Sequence, residues 1–423
     1  MISIPYALDA LNFFAADARN ALGPFVNVYL VTERHWSQTE FGVVATMSGL
    51  LGLALQTPIG AAIDLTPAKR GVIVLSISAM AAASFIIFGM PTFWPMAAAF
   101  AILAIAGDAF PPAVAALTLG VTPRSGLARR LGRNSAFDHA GNIAIAIVAG
   151  AVGYAFSQRA IFLMVPVFAA LTAAAVLSIP ASAINQARAR DAGADGNRAP
   201  DGARAPDGAS AAGYGVLFRT RPLVIFAVCA FFFHFANAPL LPLVGQKLAL
   251  QFPQEATAMM SFCIVAAQGV MLPIAILVGR NADSWGRRPI FLIAFAALPI
   301  RAALYPLSDN AFWLIAIQLL DGVGAGIYQA LTPLVIADIM HGTGRYNLAQ
   351  GAVATTQGIG ASISALAAGV VVDRFGYSVT FLALGAAAAL AFVVFFSFMP
   401  ETRNEDAVAE DRETLALKGA ARS

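Results

Sequence analysis

The same polar pair occurs twice in this chain, each time inside a long apolar run. Asp17 and Asn20 stand three positions apart in the first run, and His234 and Asn237 stand three positions apart in the second. Both pairs are separated by 217 positions, since 234 − 17 and 237 − 20 give the same difference. Residues at i and i+3 lie on one side of a helix. Matching polar positions in two sets of apolar helices are typical of a duplicated transporter.

The apolar content of the chain predicts a membrane protein. Hydrophobic residues make up 59% of the 423 positions and charged residues only 12%, which leaves too little polar surface to coat a soluble globule of this size. A helix of about 20 residues crosses the ~30 Å hydrocarbon layer of a bilayer. Twelve apolar runs reach this length, at 5–31, 39–63, 71–90, 95–121, 134–157, 160–180, 219–247, 255–279, 289–307, 311–338, 348–372 and 377–399. We therefore expect an all-α membrane protein whose twelve transmembrane helices form two pseudo-symmetric six-helix bundles.

The basic residues predict the side on which each loop lies. If both termini are cytoplasmic, 20 of the 26 Lys and Arg residues fall in cytoplasmic loops, the linker or the tail. Two more lie within spans, and only four lie on the opposite side: Arg34, Arg159, Lys247 and Arg374. Loops rich in Lys and Arg stay on the cytoplasmic side of a membrane. The sequence therefore predicts cytoplasmic termini, and it attributes the net charge of +3 to topology instead of nucleic-acid binding.

Two segments without the apolar pattern predict the domain limits. Residues 181–218 contain a stretch rich in Ala, Gly, Asp, Arg and Pro, and we expect a disordered cytoplasmic linker there. The linker would join a bundle at 1–180 to a second bundle at 219–399. Residues 400–423 are charged and would form a cytoplasmic tail. The first apolar run is too long for a signal peptide and lacks a basic flank, so we expect it to be retained as a helix.

The loop between the eighth and ninth predicted spans carries a polar motif. It consists of Gly279, then Asp283 one turn later, then Gly286 followed by Arg287 and Arg288. A carboxylate in this place can accept hydrogen bonds from the first amides of a neighbouring helix, and the arginines can bind carboxylates or lipid phosphates. We therefore predict a conformational latch at the cytoplasmic edge. Ordinary helix capping by the acid and simple anchoring by the arginines are the alternatives.

The loop between the second and third predicted spans repeats part of this motif. Gly60 and Asp64 match and a basic pair follows, but the inner Arg and Gly are missing. The better-kept copy at 279–288 resembles the loop signature Gly-x-x-x-Asp-Arg-x-Gly-Arg-Arg of the major facilitator superfamily, with Ser284 in place of the inner Arg. Residues 400–403, Pro-Glu-Thr-Arg, resemble that family's C-terminal ending. The resemblance covers essentially the whole chain and indicates no subfamily. It implies a secondary transporter made of two six-helix bundles.

The resemblance also implies that helices 1, 4, 7 and 10 line a central cavity, and the strongly polar residues fall within those spans. An ionisable group near the bilayer centre costs about 2.5–3.5 kcal/mol on insertion scales, so several such groups require a shared aqueous cavity or ionic partners. Carboxyl and imidazole groups can also exchange protons. The candidates for proton coupling are Asp17, Asp108, Asp321 and His234.

A second set of polar residues is predicted to contact the transported solute. Arg19 suits an anionic group, and the tenth span presents an amide, an acid and an aromatic ring along one side. On the first span, Asp9, Asn20 and Asn27 fall on one stripe. The candidates for solute contact are Arg19, Asn20, His234, Asn237, Gln318, Asp321 and Tyr328.

These polar residues also have purely structural interpretations. Asp108 or Asp321 could form a permanent ion pair with Arg19 or Arg301, which would serve assembly only. His234 could make no more than a hydrogen bond between packed helices. The two asparagines of the repeated pair could tie helices together instead of contacting a solute.

The predicted function is secondary active transport of a small organic solute by alternating access, driven by a proton gradient. Arg19 favours an anionic or polar solute, whereas the acids and the Phe-rich seventh span favour an amphipathic or cationic one. The alternatives are a multidrug efflux proton antiporter and, on the same scaffold, a non-transporting membrane sensor. Drug exporters of the family that this chain resembles carry glycines and a proline in the fifth helix. Only the glycines Gly141, Gly150 and Gly153 are present here, without a proline, so the pattern is faint.

No catalytic, cofactor or metal motif is found in the sequence. There is no nucleophile elbow, phosphate-binding loop or metal-spaced cluster, and the only cysteines, Cys229 and Cys263, lie within predicted spans. We therefore predict no enzymatic activity, no cofactor and no metal. The predicted partners are a small-molecule solute, protons and membrane lipids, with no nucleic acid. We expect a monomer in the plasma membrane, specifically a bacterial inner membrane.

Overall fold

The computed structural model describes residues 3–16, 22–123, 126–186, 189, 217, 219–341, 343 and 345–403. The side chains of residues 22, 64 and 128 lie outside this description. Within the described ranges, every regular element is a helix. The predicted linker and tail fall mostly outside these ranges, so the domain limits drawn from the sequence stay predictions.

The first half of the chain, in its described part, contains seven α-helices. Their limits are α1 (Ile4–Ala16), α2 (Leu22–Thr32), α3 (Gln38–Leu65), α4 (Lys69–Gly89), α5 (Phe93–Val121), α6 (Leu127–Ala155) and α7 (Met164–Leu177). A 3₁₀ segment at Gln158–Leu163 leads into α7, and another at Ala181–Ala183 follows it. The start of α3 is fixed by a capping box, in which Ser37 and Glu40 bond to each other's backbone amides.

The described part of the second half also contains seven α-helices. They are α8 (Arg221–Asn237), α9 (Leu240–Gln251), α10 (Ala256–Trp285), α11 (Arg287–Leu304), α12 (Ala311–Ala316), α13 (Gln318–Ile339) and α14 (Tyr346–Phe398). A 3₁₀ segment at Tyr305–Leu307 follows α11. The α10–α11 junction is Gly286, whose φ of 85° is a left-handed conformation that glycine adopts without a Cβ clash.

Ten helical segments in the described part of the chain are long and apolar enough to cross a membrane. The tenth of these is α14, which is 53 residues long and includes one non-helical residue, Gly376, at φ 79° and ψ 175°. This break falls between the predicted eleventh and twelfth spans. The first predicted span corresponds to α1 and α2, which the described residues do not join. The structure therefore supports a multi-pass helical membrane protein, and the count of twelve spans stays a prediction.

The seventh predicted span is interrupted near its middle. The helix α8 ends at Asn237 and α9 begins at Leu240, with Pro239 between them. Proline lacks an amide hydrogen and favours such an interruption. Broken helices beside a central cavity are a common way for transporters to present backbone and polar groups to a solute.

The two halves contact each other mainly near one end, called here the outer end, where α3 begins and α14 breaks at Gly376. There α3 packs against α14 and α6 packs against α10. Four glycines allow α3 and α14 to approach closely, since a Cβ added to any of them would lie within 2.7 Å of the facing helix. They are Gly42, Gly49, Gly358 and Gly369. At the opposite, inner end, a Cβ added to Gly60 or Gly279 would have no neighbour within 4 Å. The described structure is thus closed at the outer end and less tightly packed at the inner end.

Candidate functional site

A cavity of about 400 Å³ lies between the two halves, directly beneath the closed outer end. This volume is within the range of about 300–1,000 Å³ that small-molecule sites occupy. Its two walls are partly related by the sequence repeat, since Pro24 of α2 and Pro242 of α9 both line it and are 218 positions apart (242 − 24). The polar and aromatic lining residues are Asn27, Gln38, Phe41, Phe100, Asn237, Arg301, Asp321 and Ser364.

Arg301 of α11 is the centre of the polar wall that the second half contributes. Its Nη1 donates to Asp321 Oδ1 on α13 and, at 2.8 Å, to Asn237 Oδ1 on α8. Its Nε donates to the Tyr305 hydroxyl at 2.7 Å. The guanidinium is 1% exposed and the Asp321 carboxylate 16% exposed, so the two charges are desolvated together. The wall therefore presents hydrogen-bonding groups with no net charge.

Asp321 and Asn237 line the cavity, and their predicted contact with a solute stays a prediction. Asp321 lines it as the ionic partner of Arg301, which is one of the two interpretations that the sequence left open. The predicted role of Asp321 in proton coupling stays a prediction.

Gln318 does not line the cavity, contrary to its predicted role. Its side chain is fully buried, and Nε2 donates to the Tyr305 hydroxyl at 3.0 Å. The physical reason is the glycine face of α13: Gln318, Gly322 and Gly326 are spaced four residues apart on one side of the helix. That face packs on α10, where a Cβ on Gly322 would lie 2.3 Å from the Ala267 carbonyl oxygen. Gln318 therefore lies in the contact between α13 and α10.

Tyr328 and His234 also lie away from the cavity lining. The Tyr328 ring stacks on Phe233 with centroids 4.7 Å apart, and Gln357 Nε2 donates to its hydroxyl at 2.8 Å. His234 Nδ1 lies 3.1 Å from the Ala230 carbonyl oxygen, and its ring packs edge-on against Tyr328 at 4.9 Å. Both side chains belong to the aromatic core of the second half. In this conformation they support the wall without touching its surface.

Asp108 lies midway along α5 and is half-buried. Its carboxylate packs over Gly52 of α3, where an added Cβ would be 2.7 Å from Oδ2. Among the described residues, none forms a hydrogen bond or an ion pair with Asp108. The helix continues unbroken through Pro111 and Pro112, although prolines in a helix interior leave carbonyls without amide donors. Its predicted role in proton coupling stays a prediction, and the carboxyl has no partner in the described part of the chain.

Three candidates from the first predicted span cannot be placed. Asp17, Arg19 and Asn20 lie outside the described residues. Their predicted roles in proton coupling and solute contact stay predictions. Asn27, on the same predicted stripe as Asn20, is described and does line the cavity.

The roof of the cavity is a cluster of buried amide side chains: Asn27, Gln38 and Gln246, called here the roof amides. Gln38 Nε2 donates to Gln246 Oε1 at 2.6 Å, and Gln246 Nε2 donates to Gln38 Oε1 at 3.0 Å. Gln246 Nε2 also donates to Asn27 Oδ1. The Tyr377 hydroxyl lies 3.3 Å from both Gln38 Nε2 and Gln246 Oε1. The roof amides join the two halves across the outer end.

Sequence reasoning did not single out most of this lining. Phe41 and Phe100 pack edge-to-face at 5.8 Å and form the aromatic part of the first-half wall. They are isolated aromatics in apolar runs and carry no sequence signal. A signal did exist for Gln38, since Ser37 and Glu40 match the capping-box spacing and place Gln38 in the first turn of a helix. Gln246 is a polar residue near the end of a predicted span, where amides are unremarkable.

The loop motif of the second half forms a network within its own half at the inner end. Arg287 Nη1 lies 2.8 Å from Asp283 Oδ1, and its Nε donates to Asp338 Oδ2 at 3.0 Å. Arg288 Nη2 donates to the Phe396 carbonyl oxygen at 2.6 Å. Gly279, at the start of the motif, has open space around it. In this conformation Asp283 of α10 pairs with Arg287 at the start of α11, and among the described residues it caps no helix of the other half.

The acid that binds the first amides of α11 is Glu401, from the Pro-Glu-Thr-Arg segment. Its carboxylate accepts hydrogen bonds from the backbone amides of Arg287 at 2.9 Å and Arg288 at 3.1 Å. It also accepts from the amides of Thr402 and Arg403, both at 3.0 Å. The sequence assigned this kind of contact to Asp283, and the structure gives it to Glu401. The side chain of Asp64 in the first copy is outside the described part, and Gly60 beside it has open space.

The first half has an ion cluster at the inner end that the sequence did not indicate. Asp9 of α1 is 4% exposed and pairs with Arg130 at 2.5 Å and with Arg133 at 2.6 Å, both on α6. Arg130 Nε also donates to Asn134 Oδ1 at 2.7 Å. A buried carboxylate shared by two arginines fixes α1 against α6. None of these residues lines the cavity.

Glu401→Gln should lower the melting temperature at neutral pH. It should also remove the part of the pH dependence of stability that the Glu401 carboxylate contributes. Burial alone would raise the pKa of Glu401, but the four backbone amides hold it below its ordinary value. A carboxylate with a depressed pKa stabilises the fold fully above the unfolded pKa of about 4.3, and this contribution is lost as the pH falls through the folded value. A lost helix cap costs roughly 1 kcal/mol.

The measurement is the melting temperature of the purified protein in detergent between pH 7 and pH 3.5. The difference between the original protein and Glu401→Gln should shrink as the pH falls below about 4. Glu255→Gln is the matched control, because Glu255 is the N-cap of α10 and accepts no capping hydrogen bond through its side chain. Equal pH dependence of the two variants would contradict the capping role of Glu401.

Comparison with known proteins identifies the family. The family model described as Major Facilitator Superfamily matches residues 8–298 and 269–421. An MFS-type transporter of Mycobacterium tuberculosis strain H37Rv, Rv2456c, is 45% identical over 415 residues, which cover 97% of each chain. The multi-drug resistance efflux pump PmrA of Streptococcus pneumoniae is 29% identical over 126 residues, covering 29% of this chain and 30% of that protein.

Solved structures with the same fold include two crystal structures of the nucleoside transporter NupG, one of them a mutant. They align with TM-scores of 0.77 and 0.75, cover 94% of this chain and 99–100% of theirs, and share 14% sequence identity. At this identity the likeness shows the fold alone. The family match and the full-length relative are sufficient for the classification. The chain belongs to the major facilitator superfamily, and it is a membrane transporter, not an enzyme.

Proposed function

We propose that this major facilitator superfamily member is a proton-coupled carrier of small, uncharged ring compounds of about nucleoside size. The observation that carries the proposal is the lining of the 400 Å³ cavity. It combines amide side chains, two phenylalanine rings and an Arg301–Asp321 pair whose charges cancel. A solute with a flat apolar face and a hydrogen-bonding edge complements such a lining, and a charged solute would leave its charge unpaired there.

Transport is proposed to occur by alternating access. The described structure is closed where α3 meets α14, and the space around the inner-end glycines Gly60 and Gly279 is open. This arrangement fits a carrier whose cavity opens toward the inner end. Rocking of one half against the other would expose the same cavity at the outer end. The loop residues at the inner end are proposed to latch the opposite conformation: Gly60, Asp64, Gly279, Asp283, Gly286, Arg287 and Arg288.

Within the cavity, Asn237 and Asp321 are proposed to contact the solute, with Arg301 holding both in place. Asp108 is proposed to carry the coupling proton, because it is the mid-membrane acid without a described partner. Asp17, Arg19 and Asn20 remain candidates for the roles predicted above. Tyr328, Gln318 and His234 are proposed to maintain the shape of the wall in this conformation.

The protein is proposed to lie in a bacterial inner membrane as a monomer with cytoplasmic termini. The unequal distribution of basic residues supports this orientation. The inner end of the structure then faces the cytoplasm. The full-length mycobacterial relative is consistent with a bacterial plasma membrane.

Multidrug efflux is the second candidate function. It is favoured by the partial similarity to PmrA and by the Phe41–Phe100 wall, which could hold an amphipathic compound. The amide-rich roof argues for a more selective site, because unsatisfied amides penalise a solute without hydrogen-bonding groups.

The test is uptake into proteoliposomes under an imposed pH gradient, with labelled uridine and with the cationic dye ethidium. We expect uridine to accumulate when the proton gradient is present and not when it is collapsed by an ionophore. Ethidium movement without uridine movement would support the efflux candidate. Binding of uridine without gradient-driven uptake or counterflow would instead support a sensor. Protein-free liposomes are the control.

A further inference from the structure

The start of α3 is held by a residue of the other half. Asp373 of α14 accepts hydrogen bonds from the backbone amides of Gln38 at 3.1 Å and Thr39 at 2.8 Å, and from the Thr39 hydroxyl at 2.6 Å. The amide of Glu40 is capped within its own half by Ser37. A carboxylate at a helix N-terminus is favoured by the helix dipole. Asp373 thus fixes the position from which the Gln38 side chain reaches the cavity roof.

The side chains of Gln38 and Gln246 form a reciprocal amide pair. Each carboxamide donates one hydrogen bond and accepts one, at 2.6 Å and 3.0 Å. This is the pattern in which a cis amide, such as the edge of a lactam ring, binds a primary carboxamide. Gln38 belongs to the first half and Gln246 to the second, so the pair also closes the outer end.

The roof amides are not equivalent with respect to the cavity. Asn27 and Gln38 line it, whereas Gln246 is fully buried behind them. A solute in the cavity can therefore reach the carboxamide groups of Asn27 and Gln38. In the described conformation Gln246 holds those same groups. Solute and Gln246 compete for one set of hydrogen bonds.

We propose that the transported solute carries an amide-like donor–acceptor edge, which replaces Gln246 on Gln38 and thereby releases the outer end. This inference rests on the proposed function and names the chemical class that its cavity selects. Exchange of one amide pair for another conserves the number of hydrogen bonds, so opening requires little free energy once the solute is bound. The Asp373 contacts are exposed and can exchange with water as the halves separate.

The same chemistry excludes other solutes. A compound without an N–H donor beside its carbonyl leaves Gln38 Oε1 buried and unpaired, which is unfavourable. Sites built to hydrogen-bond a solute group reject analogues that lack it far more strongly than apolar pockets reject a missing methyl group. Uridine has the required edge, and 3-methyluridine has lost its donor while keeping nearly the same size and ring.

The experiment measures the distance across the outer end by pulsed electron spin resonance. Spin labels are attached at Arg34→Cys in the first half and Ser378→Cys in the second, both exposed positions. The native Cys229 and Cys263 are buried. Uridine should increase the population with the longer distance by roughly fivefold, the effect of about one net hydrogen bond, and 3-methyluridine should not.

Two variants test, without any solute, whether the Gln38–Gln246 pair holds the outer end closed. Gln246→Leu should raise the long-distance population roughly fivefold without any solute, because the reciprocal pair is lost. Gln251→Leu, an exposed glutamine on the same helix, should behave as the original protein. An unchanged short distance in Gln246→Leu would contradict the claim that the Gln38–Gln246 pair closes the outer end.

The two nucleosides decide the chemical class. Equal responses to uridine and 3-methyluridine, or no response to either, would overturn the amide-edge proposal. The proposed carrier function fails separately, through the absence of uptake or counterflow of any solute in proteoliposomes. The protein could transport a different class of solute while the spin-label distance across the outer end stays unchanged. That result would contradict the amide-edge proposal and leave the carrier function standing.

Discussion

Replacing Asp108 with Asn is expected to abolish proton-driven accumulation of solute while preserving downhill exchange. Asp108 lies in the middle of α5 and has no partner among the described residues, so its protonation state is free to change with conformation. Asparagine resembles a permanently protonated carboxyl group. One pH unit corresponds to about 1.36 kcal/mol, so a gradient of two units can drive roughly 100-fold accumulation with one proton per solute. The variant should fall to about onefold accumulation.

The measurement is labelled uridine inside proteoliposomes, under a pH gradient and in counterflow without one. Asp309→Asn is the matched control, because Asp309 is 74% exposed in an outer loop and does not line the cavity. The control should accumulate solute normally. Normal accumulation by Asp108→Asn would exclude this acid as the coupling site, and Asp17 and His234 would then be tested next.

A complete loss of both accumulation and exchange would have a different meaning. Gly52 of α3 packs directly beneath the Asp108 carboxylate, so this acid also lies at a helix contact. Asp108→Glu separates the two roles, since it keeps the proton and changes the packing. Retained accumulation in Asp108→Glu combined with its loss in Asp108→Asn would support coupling through the carboxyl group.

Several parts of the fold follow directly from the sequence. Long apolar runs have to become helices in a bilayer, because backbone groups there find partners only within a helix or a closed barrel. The break at Gly376 was also accessible, since it falls between two predicted spans and needs a positive φ that glycine provides. The end of α8 at Asn237 was not predicted, since the sequence analysis treated 219–247 as one continuous span.

The cavity lining was predicted less well, because helical spacing fixes which residues share a face but does not fix where that face points. Gln318 shares its face with Gly322, and close packing of that face on α10 removes Gln318 from the cavity. Tyr328 is drawn into a cluster of Phe rings, which provides more apolar contact than the cavity wall does. Gln246 and Gln38 meet across 208 positions. No local pattern in the sequence indicates that contact.

Breaking the Arg301–Asp321 pair from one side should destabilise the protein strongly, and removing both charges should restore much of the stability. Arg301 is 1% exposed and its charge has no other ionic partner among the described residues. Truncating one member of a buried pair leaves an uncompensated charge and costs about 3–5 kcal/mol, whereas replacing the whole pair by apolar residues of similar volume is often neutral. We therefore expect Arg301→Met and Asp321→Leu each to lower the melting temperature more than the double variant does.

Melting temperatures and folded yield of the purified variants in detergent measure this effect, and the double-mutant cycle isolates the coupling. The pair Lys247–Asp309 is the comparison: Lys247 is 12% exposed but Asp309 is 74% exposed, so its measured coupling should be smaller than that of Arg301–Asp321. Additive effects at Arg301 and Asp321 would show that the two charges are compensated separately. The double variant also tests function. If the pair supports Asn237 and the solute, the double variant should regain its melting temperature but lose uridine exchange. Retained exchange would show that the pair serves assembly alone.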